Sequence, residues 1–185
     1  MAKRYQNREW KNSMKLRLDY NNMIDEFVGK DGISKSELNA HKAIAKAALE
    51  KVTSSKGQGW LGWTDLPFNQ KDVVADINVT AKQIRKTAKN FVVLGIGGSA
   101  LGPIAVFQAL CHLHYNDLPA KERKAPKFYV EDNIDPERMA ALFDVIDVEK
   151  TVFNVITKSG STSETMSQYL IIYNMLREKL GDKVK

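Results

Sequence analysis

Residues 157–165, TKSGSTSET, have the composition of a phosphate-binding loop. Six of these nine side chains carry a hydroxyl group, far more than an ordinary turn needs, and a lysine and a glycine accompany them. Hydroxyls, backbone N–H groups and the positive end of a following helix would together hold a phosphate dianion. The predicted phosphate-binding residues are Thr157, Lys158, Ser159, Gly160, Ser161 and Thr162.

Part of this segment has a structural explanation. Ser161 and Glu164 stand three residues apart before an apolar stripe, which is the spacing of a helix capping box. A helix N-terminus has about four unpaired N–H groups, and a single cap satisfies only part of them. Thr157, Ser159 and Thr162 are therefore left for a ligand. No Walker motif and no carboxylate-rich magnesium site accompany them, which favours a phosphomonoester over a nucleoside triphosphate.

The glycine-rich segment GIGGSALGP, residues 95–103, is a second candidate binding loop. Its spacing, Gly95-x-Gly97-x-x-Ala100, meets the loose dinucleotide fingerprint, so a nicotinamide or flavin enzyme is one alternative. That fingerprint needs an acidic residue about 20 positions later. The candidate, Glu131, lies further along the chain, so the match is weak.

Two other interpretations of the glycine-rich segment remain open. Gly98 would let the backbone approach a small ligand closely, with N–H groups and the Ser99 hydroxyl as donors. Alternatively, the glycines only allow a tight turn between a strand and a helix.

Both candidate loops follow short apolar runs that predict β-strands. Three such runs each lead through a turn into a predicted helix, which is the pattern of successive βαβ units on a parallel sheet. The predicted strands are residues 91–95, 127–131 and 151–156, and the predicted helices are residues 103–114, 136–143 and 162–180. Ligands in such sheets bind outside the carboxyl ends of the strands, where both candidate loops begin.

The first 90 residues predict a mainly helical segment, which we separate from an α/β domain over residues 91–185. Alternating apolar residues predict a short strand over 14–20. Amphipathic patterns predict helices over 34–52, opened by a capping box, and over 71–88. Trp60 and Trp63, in the glycine-rich loop between these helices, are expected to fill a core beneath that loop.

Composition excludes several classes of protein. The 43% hydrophobic content is typical of a globular chain, and the single cysteine, Cys111, allows no internal disulfide and favours the cytoplasm. No apolar run reaches the roughly 18 residues of a membrane span. The net charge of +6 favours anionic partners. The basic cluster KERKAPK, residues 121–127, lacks the interleaved aromatics of single-stranded nucleic-acid binders, so no nucleic-acid partner is expected.

Taken in chain order, GIGGSALGP, EDNIDP and NVITKSGSTSET resemble the loops after the first three strands of the bacterial glucose-6-phosphate isomerase family. The resemblance runs from Phe91 to the end of the chain, and the N-terminal helices fit more loosely. It implies a three-layer, Rossmann-like sugar isomerase (SIS) domain. Because family members are much longer, it also implies that this domain is incomplete at residue 185.

The resemblance implies roles for individual residues. Gly98 and Ser99 would line the sugar end of a substrate pocket, and residues 157–162 would form its phosphate loop. Glu164 matches a carboxylate that supports a ring-opening histidine, and this histidine and the principal base are expected beyond residue 185. Thr165 stands where bacterial relatives often have proline.

The family reaction interconverts an aldose 6-phosphate and a ketose 6-phosphate by ring opening and cis-enediol proton transfer, with no cofactor and in a homodimer. Because His41, His112 and His114 are expected to be structural, we expect this chain to bind a sugar phosphate without turning it over. The alternatives are a non-catalytic SIS-type phosphosugar sensor and, after it, a nicotinamide-dependent oxidoreductase.

Overall fold

The computed structural model describes Asn12 and residues 14–184. The chain forms two compact units, Met1–Gln70 and Lys71–Lys185. Within the described residues, no helix is both long enough and apolar enough to cross a membrane. The expected domain division at residue 90 stays a prediction.

The first unit consists of short helices, as its sequence predicts. They are α1 (Asp25–Val28), α2 (Lys35–Ala40), α3 (Lys42–Ser54) and α4 (Leu66–Asn69), with 3₁₀ turns at Asn21–Met23, Gly29–Asp31 and Gly59–Asp65. The predicted capping box is confirmed, since the Ser34 hydroxyl accepts from the Glu37 N–H and the Glu37 carboxylate accepts from the Ser34 N–H. The predicted helix breaks once, at His41, between α2 and α3.

Two predictions in this unit are wrong. Residues 15–20 form no strand; Leu16 and Leu18 are 101% and 85% exposed, and no described strand pairs with them. An isolated strand has no partner to satisfy its backbone groups, so alternation alone does not produce one. Trp60 and Trp63 are 89% and 65% exposed rather than buried beneath their loop.

The second unit is built on a three-stranded parallel sheet. Its strands are β1 (Asn90–Leu94), β2 (Lys127–Glu131) and β3 (Thr151–Val155), in the order β2-β1-β3. Asn90 of β1 lies opposite Lys127 on one side and Thr151 on the other. All three predicted strands are therefore confirmed to within a residue at each end.

The helices of this unit are α5 (Lys71–Thr87), α6 (Gly98–Leu110), α7 (Ala120–Arg123), α8 (Pro136–Val145) and α9 (Ser163–Leu180). The predicted start at Pro103 is wrong, because α6 begins five residues earlier and contains Pro103. Gly97, at φ +56°, makes the turn into α6, and its carbonyl accepts from the N–H groups of Ala100 and Leu101. The helix therefore starts from the glycine turn itself.

One face of the sheet carries the core of this unit. Val92 and Leu94, both 0% exposed, pack with side chains of α8 and α9. The buried members of this cluster are Val92, Leu94, Met139, Leu142, Ile146, Val148 and Ile172. On the other face the Phe128 ring stacks on those of Phe91 and Phe107, with centroids 6.3 and 4.5 Å apart. Both faces of the sheet are therefore covered by packed side chains.

Candidate functional site

The two candidate loops meet at the carboxyl edge of the sheet. β1 is the central strand. The chain passes from β1 to β2 on one side and then crosses from β2 to β3 on the other side of β1. Such a reversal opens a crevice between neighbouring strand ends, which is where ligands of open α/β sheets bind. The Gly95 N–H donates to the Glu131 carbonyl at 3.2 Å, and the Ile156 N–H donates to the Leu94 carbonyl at 2.9 Å. All three strand ends are therefore held together.

The glycine loop lies directly against the end of β3. Gly95 is buried, and a Cβ atom there would stand 2.9 Å from the Ser99 Cβ and 3.2 Å from the Ile156 carbonyl oxygen. Gly97 and Gly98 are exposed, Ser99 is half-buried, and Gly98 and Ser99 form the first turn of α6. The exposed N-terminal backbone of α6 thus borders the crevice, where the positive end of its dipole favours an anion.

The hydroxyl-rich loop folds so that its surplus hydroxyls converge. The Thr162 Oγ1 lies 3.4 Å from the Thr157 Oγ1 and 3.5 Å from the Ser159 Oγ. The Gly160 N–H donates to Thr157 at 3.2 Å, and the Ser161 N–H donates to Ser159 at 3.3 Å. These N–H bonds exceed the usual 2.9–3.0 Å. A dianion would replace them with shorter, charge-assisted ones.

A glycine with a positive φ shapes the backbone of this segment. Gly160 has a φ of +74°, which a residue with a side chain rarely adopts, and it turns the chain toward α9. Lys158 is exposed at the surface of the loop, whereas Thr157 and Thr162 are half-buried beneath it. Hydroxyls can rotate to donate, so this cluster can present donors to a ligand at the N-terminus of α9.

The predicted capping box between Ser161 and Glu164 is wrong. The N-cap of α9 is Thr162, one residue later than predicted, and its side chain makes no capping hydrogen bond. Glu164 is therefore the second residue of the helix, too early to reach back to the cap; its carboxylate accepts from Ser163 Oγ at 3.1 Å. The Ser161 hydroxyl donates to Ser159 instead. Every hydroxyl from 157 to 162 thus belongs to the loop rather than to a cap.

An ion-pair cluster lies at the carboxyl end of β2. Glu131 is 7% exposed, and the Arg138 guanidinium lies 3.3 Å from its carboxylate and 2.9 Å from that of Asp132. Arg138 also donates to the Val130 carbonyl at 3.2 Å. Burial raises the pKa of the Glu131 carboxyl above its ordinary value, and the Arg138 charge opposes that rise.

This pairing counts against a dinucleotide site. A ribose would need a free acidic side chain at the end of β2. Glu131 is instead buried and held by Arg138. The nicotinamide alternative is therefore not favoured.

Sequence reasoning missed Arg138, Gln168 and Thr165. Gln168, 2% exposed, donates to the Asn133 carbonyl at 2.7 Å and so ties α9 to the loop after β2. Thr165, 1% exposed, carries a buried hydroxyl without a hydrogen-bond partner among the described residues. Positions 165, 168 and 172 recur at helical spacing. This pattern could have indicated that Thr165 and Gln168 lie on the same buried face of α9 as Ile172.

His112 and His114 lie away from the carboxyl edge of the sheet. His112 and His114 follow α6, whose C-terminal end points to the opposite edge, and the His114 N–H donates to the His112 Nδ1 at 3.0 Å. His41, in the first unit, is exposed, and its Nδ1 bonds to the Glu37 carbonyl. Within the part of the chain that is described, no group of three or more His, Cys, Asp or Glu residues could hold a metal ion.

Comparison with known proteins decides the family. The model of the family described as phosphoglucose isomerase matches residues 69–185, which include the sheet and both candidate loops. The chain belongs to the phosphoglucose isomerase family. The resemblance drawn from the three loops is thereby confirmed.

Curated members of the phosphoglucose isomerase family align over most of this chain. A protein from Carboxydothermus hydrogenoformans named glucose-6-phosphate isomerase is 49% identical over 170 residues, 92% of this chain and 37% of its own length. A protein of the same name from Rubrobacter xylanophilus is 37% identical and aligns with 89% of this chain and 36% of its own length. This chain therefore spans little more than a third of these relatives.

Solved structures support the α/β fold of the phosphoglucose isomerase family. A hypothetical protein from Thermus thermophilus matches 79% of this chain and 32% of its own, with a TM-score of 0.54 and 29% identity. A glucose-6-phosphate isomerase from Chlamydia trachomatis matches 60% and 20%, with a TM-score of 0.50 and 27% identity. The predicted α/β class with a small parallel sheet is confirmed.

Proposed function

We propose that this chain is the N-terminal portion of a glucose-6-phosphate isomerase and supplies the phosphate-binding loop of its active site. The observation that carries the proposal is the position of the hydroxyl cluster Thr157–Ser159–Thr162 at the crevice between β1 and β3. The name of the 49% identical relative supports the choice of sugar phosphate. In the whole protein, glucose 6-phosphate and fructose 6-phosphate would interconvert by ring opening and cis-enediol proton transfer.

The loops divide the work of binding. The hydroxyls and the Gly160–Thr162 amides hold the phosphate at the N-terminus of α9, where the helix dipole adds to their hydrogen bonds. Gly98 and Ser99, at the start of α6, line the sugar end of the same crevice. A fixed phosphate anchors the reacting carbons in place, and binding energy from such a remote group lowers the barrier of the chemical step.

Glu164 has only a supporting role in this proposal. Its half-buried carboxylate sits in the first turn of α9, where it would orient the histidine that opens the sugar ring. Proton transfer between the sugar carbons needs a general base and a group that stabilises the enediolate. We assign these groups to residues outside this chain, so the 185-residue chain binds without catalysing.

A non-catalytic phosphosugar sensor is the second candidate function, because it would use the same phosphate loop without a base. This chain aligns with 37% of the length of the Carboxydothermus hydrogenoformans protein named glucose-6-phosphate isomerase, and this match favours an enzyme over a sensor. We also propose that the full-length enzyme is a homodimer in the cytoplasm.

Titration of the ¹⁵N-labelled chain with fructose 6-phosphate tests the site. We expect saturable shifts of the amides of residues 97–99 and 160–162, and no response to fructose or NAD. Ser159→Ala and Thr162→Ala should each weaken binding about tenfold or more, because a hydrogen bond to a charged group contributes about 1.5–3 kcal/mol. Thr87→Ala is the matched control, since its exposed hydroxyl donates to the Gln83 carbonyl.

The proposal makes two statements that can fail separately. Equal affinity in the Ser159, Thr162 and Thr87 variants would show that the loop does not hold the phosphate. Conversion of fructose 6-phosphate by the purified 185-residue chain would show that the base lies within it.

A further inference from the structure

A groove of about 500 Å³ lies at the amino edge of the sheet, opposite the candidate site. It is lined by residues from the ends of α5 and α8, the starts of β1 and β2, and α7 with the link that follows it. Its charged lining consists of Arg85, Lys89, Arg123, Lys127 and Asp147. Small-molecule sites typically have volumes of about 300–1,000 Å³. The groove is therefore large enough for a small ligand.

The side chains that line the groove carry a net positive charge. Four cations face one carboxylate, a net formal charge of +3, and that carboxylate, Asp147, is already paired with Lys150 at 2.8 Å. Among the described residues, no carboxylate lies within 4.0 Å of the four cationic groups. The helix ends of α5 and α8 contribute only about −0.5 charge each. A positive potential remains for an anion.

Arg123 is held in place before any ligand binds. It is half-buried; its Nη1 donates to the Leu118 carbonyl, and its Nε donates to the Ala125 carbonyl at 3.4 Å. A guanidinium still has further N–H donors when two are used. Because its position is fixed, less conformational entropy is lost when it binds an anion.

The backbone places three lysines side by side at the amino edge. The Lys127 N–H donates to the Lys89 carbonyl at 2.9 Å, and the Lys89 N–H donates to the Lys150 carbonyl at 2.8 Å. Like charges on neighbouring strands oppose folding. Asp147 neutralises Lys150 but, within the described part of the chain, forms no ion pair with Lys89 or Lys127. A bound anion would offset the charges of Lys89 and Lys127.

We propose that this amino-edge groove binds a small anion with two or more phosphate or carboxylate groups. The ligand would bridge Arg123 and Lys127 on one wall and Arg85 and Lys89 on the other. This assigns a role to two of the four cations of the basic cluster KERKAPK, residues 121–127. The site is separate from the proposed phosphate loop, and the inference does not depend on the proposed isomerase function.

Calorimetric titration of the chain with tripolyphosphate, pyrophosphate, citrate and inorganic phosphate tests the proposal. We expect at least one multivalent anion to bind about tenfold or more tightly than inorganic phosphate, since it reaches both walls. Comparing the affinities for citrate and pyrophosphate shows whether the groove prefers a polycarboxylate or a phosphorylated ligand. The double variant Arg123→Met/Lys127→Met should weaken binding about tenfold or more. Pyrophosphate should shift the amides of Ala88, Asn90 and Ala125 and leave Gly160 unchanged.

Lys121→Met is the matched control, because Lys121 is an exposed cation of α7 that does not line the groove. If the double variant fails to fold, Lys89→Met gives the same test, since the hydrogen bonds of Lys89 to Lys127 and Lys150 are made by its backbone and remain in the variant. Absence of saturable binding, an equal loss in Lys121→Met, or amide shifts confined to residues 160–162 would overturn the proposal. Tighter binding of a thymidine oligonucleotide than of tripolyphosphate would also overturn it.

Discussion

Replacing Gly95 with alanine tests how closely the two candidate loops are packed. The new Cβ would lie 2.9 Å from the Ser99 Cβ and 3.2 Å from the Ile156 carbonyl oxygen. Contacts below about 3.0 Å force atoms to move, and here the neighbours are a side-chain root and a strand-end backbone. The substitution therefore pushes the start of α6 away from the end of β3.

The cost can be bounded. Overpacking a closely packed site destabilises a protein by about 1–3 kcal/mol. Urea unfolding slopes of about 1–3 kcal/mol/M would turn that loss into a midpoint shift of about 1 M. The measurement is equilibrium unfolding in urea, followed by circular dichroism and tryptophan fluorescence.

Gly102→Ala is the matched control for Gly95→Ala. Gly102 lies inside α6, and a Cβ there meets no atom within 4 Å. Alanine favours the helix over glycine, but Pro103 disfavours a Cβ on the helical residue before it, so this variant should change stability by less than about 1 kcal/mol. The packing argument fails if Gly95→Ala is as stable as the wild-type chain or if Gly102→Ala loses as much stability as Gly95→Ala.

Two further predictions concern buried polar groups beside the site. Arg138→Met should destabilise the chain by about 2 kcal/mol at about pH 8, because it leaves the Glu131 carboxylate buried without its partner. Burial raises the pKa of Glu131 in the folded state, so its favourable contribution exists at low pH and is lost as pH rises through that pKa. Removing the arginine raises the folded pKa further, so the loss should shrink toward about pH 4 in unfolding experiments at both pH values. Thr165→Val should leave stability unchanged or raise it by about 1 kcal/mol, since it replaces a buried hydroxyl without a described partner by a methyl group of similar shape.

Each of these substitutions has a control. Adding Glu131→Gln to Arg138→Met should remove most of the pH dependence, and a loss that is equal at all pH values would contradict the assignment. Thr165→Ser keeps the hydroxyl and loses a methyl group, so it should cost about 1 kcal/mol. If Thr165→Val is the less stable of the two, the hydroxyl has a partner after all.

Local sequence patterns predicted the sheet because its strands carry strong local signals. The runs over 90–94, 127–131 and 151–155 are rich in β-branched and aromatic residues, and all three became strands. The alternation at 14–20 carries a similar signal, yet it forms no strand, since pairing partners decide whether a strand exists. The start of α6 was misjudged because Pro103 favours a helix start, whereas the glycine turn at Gly97 begins the helix earlier.

The sequence predicted the loops of the candidate site but not the long-range contacts that surround them. Hydroxyls at 157, 159 and 162 are close in sequence, so their convergence follows from one local turn. The contact between Gln168 and Asn133 joins residues 35 positions apart, and no local pattern indicates it. Arg138 lies one helical turn past a clear N-cap at Asp135, but its pairing with Glu131 depends on where β2 ends. Long-range contacts of this kind require the assembled sheet.

The central position of β1 has a consequence for synthesis of the chain. Both of its neighbours come later in sequence, and Asn90 meets its hydrogen-bond partner Thr151 only 61 residues on. At about 5–20 residues per second, a ribosome needs roughly 3–12 s to make that stretch. For the first part of this interval, before β2 (Lys127–Glu131) is made, Val92 and Leu94, which the finished fold buries completely, have no strand to pair with. Newborn chains therefore expose the apolar residues of β1 before the sheet can form, which favours aggregation at that stage.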